Sequence, residues 1–460
     1  MELKKSQCKI DMLTGPLWSR LMAFAFPLAA TSILQQLFNS ADVAVVGRFA
    51  GSAALAAVGA NVANVGVFVN FLVGFSVGPN VVLSRLVGQG NDEEARKIPA
   101  ASIALAVIIG LAFFVFGEIL TGFLLRSIST PDDVFGAAAL YFRIYLAGMP
   151  FLAVYNFGSA ILRSVGDTRR PLYILFASGI LNVILNLVFV ICFGMGVSGV
   201  AVSTVISEVL SCAAVVAILV REKGILHLGK EVFAPDFSYM LKIFTEGFPA
   251  GVQSAIFSVS NMFVQAGVNS FGSTAIAGAS AGLNFEYFTY AVTTSFSQGA
   301  ITFVSQNFGA AQIGRCRRIF WLVLAEGAFF TWALGAVFII WKEFFVSFYS
   351  VDPGVQDFAI RRMMLVAAVE FLIAPYDVGA GALRGLGHAV IPSLFAVLGT
   401  VVFRIIWLYT VFARFRTFEA LMIVYPVSWI FTGILVLSAY FYFMGKLSRK
   451  FPGKTAEKTV

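Results

Sequence analysis

RLMAFAFPLAATSILQQLFNSADVAVVGR, residues 20–48, is almost wholly apolar and long enough to cross the hydrocarbon core of a bilayer, which takes about 20 helical residues. It nevertheless carries an acid. On a helix, Gln35, Asn39 and Asp42 fall at i, i+4 and i+7 and share one stripe, while Leu, Val and Phe fill the remainder. That stripe is expected to face protein or water rather than lipid. An ionisable group inside a membrane costs about 3 kcal/mol or more, and it marks ion or substrate passage.

The rest of the chain agrees with this reading. Hydrophobic residues make up 59% and charged residues only 12%, against about 25% charged in soluble domains, so an all-α integral membrane protein is expected. Its 460 residues accommodate twelve transmembrane helices, each span with its connection taking roughly 35 residues. A transmembrane barrel would alternate in short segments, and no such pattern dominates. Lys4, Lys5 and Lys9 precede the first apolar run as in a secretory signal, but the run outlasts a signal core, so an uncleaved first helix is expected.

The net charge of +8 does not point to nucleic acid. Lys and Arg cluster in alternate connections, including Arg163, Arg169, Arg170, Arg315, Arg317, Arg318 and Arg384 on the side of both termini. Few basic residues, among them Arg361 and Arg362, fall on the other side. The bias leads to the expectation that both termini are cytoplasmic. Cys8, Cys192, Cys212 and Cys316 are scattered, and His227 and His388 lie far apart, so neither a disulfide framework, a metal site nor a cofactor is expected. Gly194, Gly196 and Gly199 match G-x-G-x-x-G without a preceding strand, and no P-loop is present, which argues against nucleotide as ligand or fuel. No nucleophile, base and orienter set suggests an enzyme.

The second half repeats the first. Phe26-Pro27 recurs as Phe248-Pro249, FAGSAALAAVGA from Phe49 is echoed by FGSTAIAGASA from Phe271, and a constant shift of 221 residues carries Gly158, Arg163, Gly166 and Pro171 onto Gly379, Arg384, Gly387 and Pro392. Six spans per copy is an even number. The copies therefore enter the membrane with the same polarity and form two pseudo-symmetric six-helix lobes, a parallel repeat. The expected division is an N-terminal segment 1–16, a lobe 17–220, a cytoplasmic linker 221–240, a lobe 241–444 and a cytoplasmic tail 445–460.

The copies differ where chemistry is expected. Asp42 corresponds to Val264, Glu286 to Val65 and Asp377 to Asn156. In the first half Tyr141, Asn156, Ser159, Asn182, Asn186 and Thr204 supply uncharged polar groups, with Asn182 and Asn186 on one helical face. Each of these can solvate Asp42 or a small cation, or equally serve helix packing at about 0.6 kcal/mol. Apolar surroundings disfavour a charged carboxylate, so Asp42 is expected to take up and release a proton. Glu286 and Asp377 are parallel candidates, or structural partners of Arg404. Pro27 removes one backbone hydrogen bond and is the expected hinge of the first helix.

QQLFNSADVAVVGR, AILRSVGD followed by Pro171, ILNVILN, FVSQNFGA and ALRGLGH followed by Pro392 together resemble the multidrug and toxic compound extrusion (MATE) transporters, bacterial type, over essentially the whole chain. The resemblance implies two lobes around a V-shaped cavity and a secondary active antiporter. It would export drugs and other amphipathic, often cationic molecules by alternating access, in exchange for protons or sodium ions. It implies cation coupling at Asp42, helped by Tyr141, Ser159, Asn182 and Thr204. Some relatives carry a second acid where this chain has Asn186. Gln35, Phe38, Asn39, Glu286 and Asp377 are expected along the substrate cavity, with lipids around a monomer. The alternative is a lipid-linked oligosaccharide flippase, whose cavity would need several Arg or Lys to hold a pyrophosphate; only Arg20, Arg143 and Arg404 are expected within spans.

Overall fold

The computed structural model describes residues 10–128 and 130–451. Lys4, Lys5, Cys8, Lys9, Ser129, Lys454 and Lys458 lie outside the described residues. Long apolar runs without β-branched alternation become helices, and the described residues contain no strand. The helices are α1 (Leu17–Ala50), α2 (Ala54–Gln89), α3 (Asp92–Ser127), α4 (Asp132–Ser164), α5 (Arg169–Cys192), α6 (Gly196–Arg221), α7 (Phe237–Asn269), α8 (Ser273–Gly309), α9 (Ile313–Ile340), α10 (Pro353–Gly385), α11 (Val390–Phe412) and α12 (Phe418–Lys450).

Ten of these are both long and apolar enough to span a membrane. The other two, α7 and α8, have 33 and 37 residues, about 50 Å or more at 1.5 Å per residue, so length is not what sets them apart. Their polar content is: α7 carries Lys242, Glu246, Ser260 and Asn261, and α8 carries Asn284, Glu286 and a row of Ser and Thr. With them the chain has the all-α, twelve-helix integral membrane fold that its composition implied. Outward-facing side chains such as Phe116, Ile119 and Phe123 on α3 are more than half exposed, as groups bathed in lipid tails are.

The repeat is visible in the backbone. Gly51 and Gly272 precede α2 and α8 with φ of 88° and 90°, and Gly166 and Gly387 close α4 and α10 with φ of 86° and 90°. A side chain strains that left-handed region, so both copies keep glycine at the same turns. Arg221 to Asp236, expected as the connection between the copies, holds only two short 3₁₀ turns, Gly224–Leu226 and Lys230–Phe233.

Packing divides the chain into two compact units, and the division does not follow the linker. Unit 1 comprises Ala30–Val87 and Asn91–Ala255 with Ile10; unit 2 comprises Asp11–Ala29, Gly88–Gly90 and the chain from Ile256 onward. The opening turns of α1 thus count with unit 2, and those of α7 with unit 1. The contacts explain why. In unit 2, Phe24 of α1 stacks edge-on against Phe303 of α8 at 5.5 Å. In unit 1, α7 lies so close to α2 that a Cβ on Gly78 would fall 2.4 Å from the carbonyl oxygen of Ile243, and one on Gly247 would fall 2.3 Å from that of Phe75. Small residues allow such an approach between membrane helices. The core of unit 1 gathers Phe75, Phe142, Leu146, Met149 and Phe157, all fully buried, around α4. Unit 2 is built around α8, with Phe285 packed on Phe338 of α9 at 5.2 Å.

One assignment needs correcting here. Arg362, expected in a connection outside the membrane, lies in the helical segment Pro353–Leu365 of α10 and is 2% exposed. Arg384 and Arg163 are likewise helical, at the ends of α10 and α4. The spans therefore hold more arginine than Arg20, Arg143 and Arg404.

Candidate functional site

The first candidate site lies in unit 1, where α1, α5 and α6 bring polar groups together. Asn182 and Asn186 sit one turn apart on α5, as their spacing requires, and both are buried. Asn186 Nδ2 donates to Asp42 Oδ1 at 2.5 Å and lies 3.4 Å from Asn182 Oδ1. Asn182 Nδ2 in turn reaches the Thr204 hydroxyl on α6 at 3.5 Å, and that hydroxyl donates to the carbonyl of Val200 at 3.0 Å. The result is a row of carboxylate, two amides and a hydroxyl through otherwise apolar helices. Val45, Val46, Val190, Val197 and Val200 of the same three helices pack with Tyr141 of α4 in one buried apolar cluster.

No salt bridge engages Asp42 among the described residues. Its partner is a neutral amide, so its negative charge is not cancelled by a fixed cation. The oxygens of Asp42, Asn182 and Thr204 are hard donors, the set that suits a proton or a small hard cation. No cluster of His, Cys, Asp and Glu able to hold a metal ion occurs among the described residues. Both α1 and α5 adopt wide i→i+5 turns just beyond the site, at Val46–Ala50 and Val188–Cys192, a distortion frequent at functional sites.

The other expected residues are placed as follows. Tyr141 on α4 is buried within electrostatic reach of Asp42. Ser159 is buried on the same helix one turn from Tyr155, and among the described residues its hydroxyl makes no hydrogen bond to the row. Gln35 and Asn39 are exposed on the stripe they share with Asp42. Phe38 is half-buried with its ring against Gly179 of α5, where a Cβ would fall 2.0 Å from Phe38 Cε2. Pro27 lies inside an unbroken helix, two residues before Ala29, the last α1 residue of unit 2.

Glu286 and Asp377 lie in unit 2. Glu286 was expected as a free acid or a partner of Arg404; instead Arg362 forks onto it, Nε to Oε1 at 2.5 Å and Nη2 to Oε2 at 2.9 Å. Both members are buried, and the pair closes on itself. Arg404 bonds neither acid; it donates to Ser428 Oγ and Asn261 Oδ1. Asp377 is buried, its backbone carbonyl accepts from Ser297 at 2.9 Å, and its Oδ2 has no hydrogen-bond partner among the described residues.

Sequence reasoning passed over three further acids. Glu208 lies one turn beyond Thr204 on α6, its Oε2 buried and without a hydrogen-bond partner, in space left by Gly148. Tyr141 and Tyr145 feel its charge. Glu326 on α9 has both carboxyl oxygens buried and unpartnered, and Glu370 on α10 accepts a hydrogen bond from Thr289. The signal was available: each is an ionisable residue inside an apolar run.

Comparison with known proteins adds the following. The family model described as MatE matches residues 27–188 and 249–410, the two copies of the repeat. The chain is 26% identical over 401 residues to the probable multidrug resistance protein YoeA of Bacillus subtilis, covering 84% of this chain and 85% of that one. It is 24% identical to the probable multidrug resistance protein NorM of Thermotoga maritima, covering 81% of each, and 21% identical to the multidrug export protein MepA of Staphylococcus saprophyticus, covering 88% of this chain and 93% of that one. Among solved structures, the outward-facing conformation of a multidrug resistance MATE family transporter of the MOP superfamily superposes with a TM-score of 0.88 at 18% identity, over 96% of this chain and 98% of that one. At that identity the likeness is one of fold.

Proposed function

The chain belongs to the MatE family, and from that membership we propose a secondary active multidrug exporter that exchanges amphipathic, often cationic molecules for protons or sodium ions by alternating access. It is a multi-pass membrane transporter rather than an enzyme. The observation that carries the coupling is the Asp42 carboxylate, held among transmembrane helices by a neutral amide and, among the described residues, by no basic partner. Such a group gains and loses a cation at low cost to the fold, because no arginine or lysine is left unpaired when it does. Asn186 holds the carboxylate, Asn182 and Thr204 extend the donor row, and Tyr141 closes it on one side.

The energetics suffice. One proton moving down a membrane potential supplies about 2.3 kcal/mol per 100 mV, and each pH unit adds about 1.4 kcal/mol. Pro27, placed just before the helix passes from one unit to the other, is the point at which α1 yields when Asp42 changes charge. Gln35 and Asn39, exposed on the stripe of Asp42, are assigned to orient substrate. Both termini are placed in the cytoplasm, the protein acts as a monomer in the cytoplasmic membrane of a bacterium, and no cofactor is required.

The flippase reading is weaker. Of the two arginines that line the unit 2 cavity, Arg362 is already neutralised by Glu286, which leaves one guanidinium where a pyrophosphate needs several. Counterflow of a fluorescent organic cation in proteoliposomes, driven by separately imposed proton and sodium gradients, tests the proposal. Dye accumulation driven by either ion supports it, and accumulation driven by neither refutes it.

A further inference from the structure

Unit 2 encloses a cavity of about 130 Å³ lined from α7, α8, α10, α11 and α12. Not all of its charged groups cancel in contact. Arg362 and Glu286 form a closed, forked pair. Arg404 faces the same cavity, is 1% exposed, and among the described residues its hydrogen-bond partners are neutral: Nε donates to Ser428 Oγ at 3.1 Å, Nη1 to Asn261 Oδ1 at 3.0 Å, and Nη2 is buried without a hydrogen-bond partner there. The guanidinium lies 4.5 Å from the centre of the Tyr425 ring. Arginine keeps its proton in proteins, so this is a permanent positive charge with an unspent donor at the wall of a cavity. The remaining acid of the lining, Glu370, accepts from Thr289 rather than from Arg404.

We propose that this cavity binds the carboxylate of a small aromatic acid. A carboxylate matches the fork of a guanidinium and supplies the missing counter-charge. The ring has a place prepared for it among Phe257, Tyr287, Tyr425 and Trp429. The volume of about 130 Å³ is on the scale of a single aromatic ring, since an apolar cavity of about 150 Å³ holds benzene. An organic cation would instead meet Arg404 as a like charge. The site is confined to unit 2 and is separate from the Asp42 row, so the transporter has a subsite for anionic or zwitterionic aromatic molecules as well as a route for cations.

Equilibrium binding of radiolabelled benzoate to the purified full-length protein in a neutral detergent tests this, with benzamide and benzylamine as competitors. The expected result is saturable benzoate binding that benzamide and benzylamine displace at least tenfold less well. Arg404→Gln is expected to weaken it by roughly ten- to a hundredfold, the range for losing a charge-assisted bond, and Arg404→Lys by less. Gly66→Ala, in the other unit and with nothing within 4 Å of the added carbon, leaves it unchanged, and reading the binding at equilibrium without any ion gradient separates this proposal from the coupling mechanism. Absent benzoate binding, or equal displacement by benzamide, overturns the assignment, and that comparison on the wild-type protein stands whether or not the Gln variant folds. Undiminished binding by a folded Arg404→Gln protein overturns it as well.

Discussion

Asp42→Asn is the perturbation on which the coupling mechanism stands. The substitution is isosteric. An asparagine oxygen at position 42 still accepts from Asn186 Nδ2, now 2.5 Å from Asp42 Oδ1, so the helix contact survives and only the charge assistance is lost, on the order of 1–2 kcal/mol. The chain tolerates this because no basic residue is paired with Asp42 among the described residues, and none is left as an uncompensated buried charge. Transport should respond very differently. With 100 mV and one pH unit across the membrane, a single coupled proton stores about 3.7 kcal/mol, enough to hold a gradient of roughly 500-fold for an uncharged substrate and about tenfold for a monovalent cation, whose own charge offsets the membrane-potential share in one-for-one exchange. Removing the only acid in the row lets that gradient collapse to the level of passive leak. Reconstituted wild-type and variant proteins, matched in amount and folding by size-exclusion profile, would be compared for dye accumulation under imposed proton and sodium gradients. Ion-driven accumulation by the asparagine variant at the wild-type level would refute the reasoning.

The structure sets further expectations. Glu286→Gln leaves Arg362 buried at 2% exposure without its counter-charge, a loss of about 3–5 kcal/mol; thermal melting in detergent should fall sharply, and adding Arg362→Met should restore most of it. Gly78→Ala places a methyl group 2.4 Å from the Ile243 carbonyl oxygen, so α2 and α7 must part at a cost of about 1–3 kcal/mol. Gly66→Ala, with nothing within 4 Å of the added carbon, should leave the melting midpoint unchanged or raise it by the equivalent of up to about 1 kcal/mol of stability; equal effects of the two would contradict this packing. Pro27→Ala restores a backbone donor inside α1 and should stiffen the helix by up to about 3 kcal/mol. Dye turnover is expected to drop at least tenfold while dye binding persists, and wild-type turnover would remove Pro27 from the mechanism.

The helices were legible because a membrane span announces itself by length and apolarity alone, and the repeat because its glycines are fixed by backbone geometry at Gly166 and Gly387. What one helix places on one face was legible too, as with Asn182 and Asn186. Partnerships between helices were not. Arg361 and Arg362 read together as a basic pair outside the membrane, yet neighbours on a helix point about 100° apart. Arg361 therefore turns outward to Asp357 and Glu419, while Arg362 turns inward to Glu286, 76 residues away in sequence. The same limit applies to Arg404. Periodicity could bury it, and two acids in neighbouring runs made an ion pair the natural expectation, but whether a guanidinium meets a carboxylate or an amide depends on which of α7, α8, α10 and α12 turns which residue toward it. Ser428 and Asn261 occupy those positions, and a charge that any local reading would have cancelled is kept.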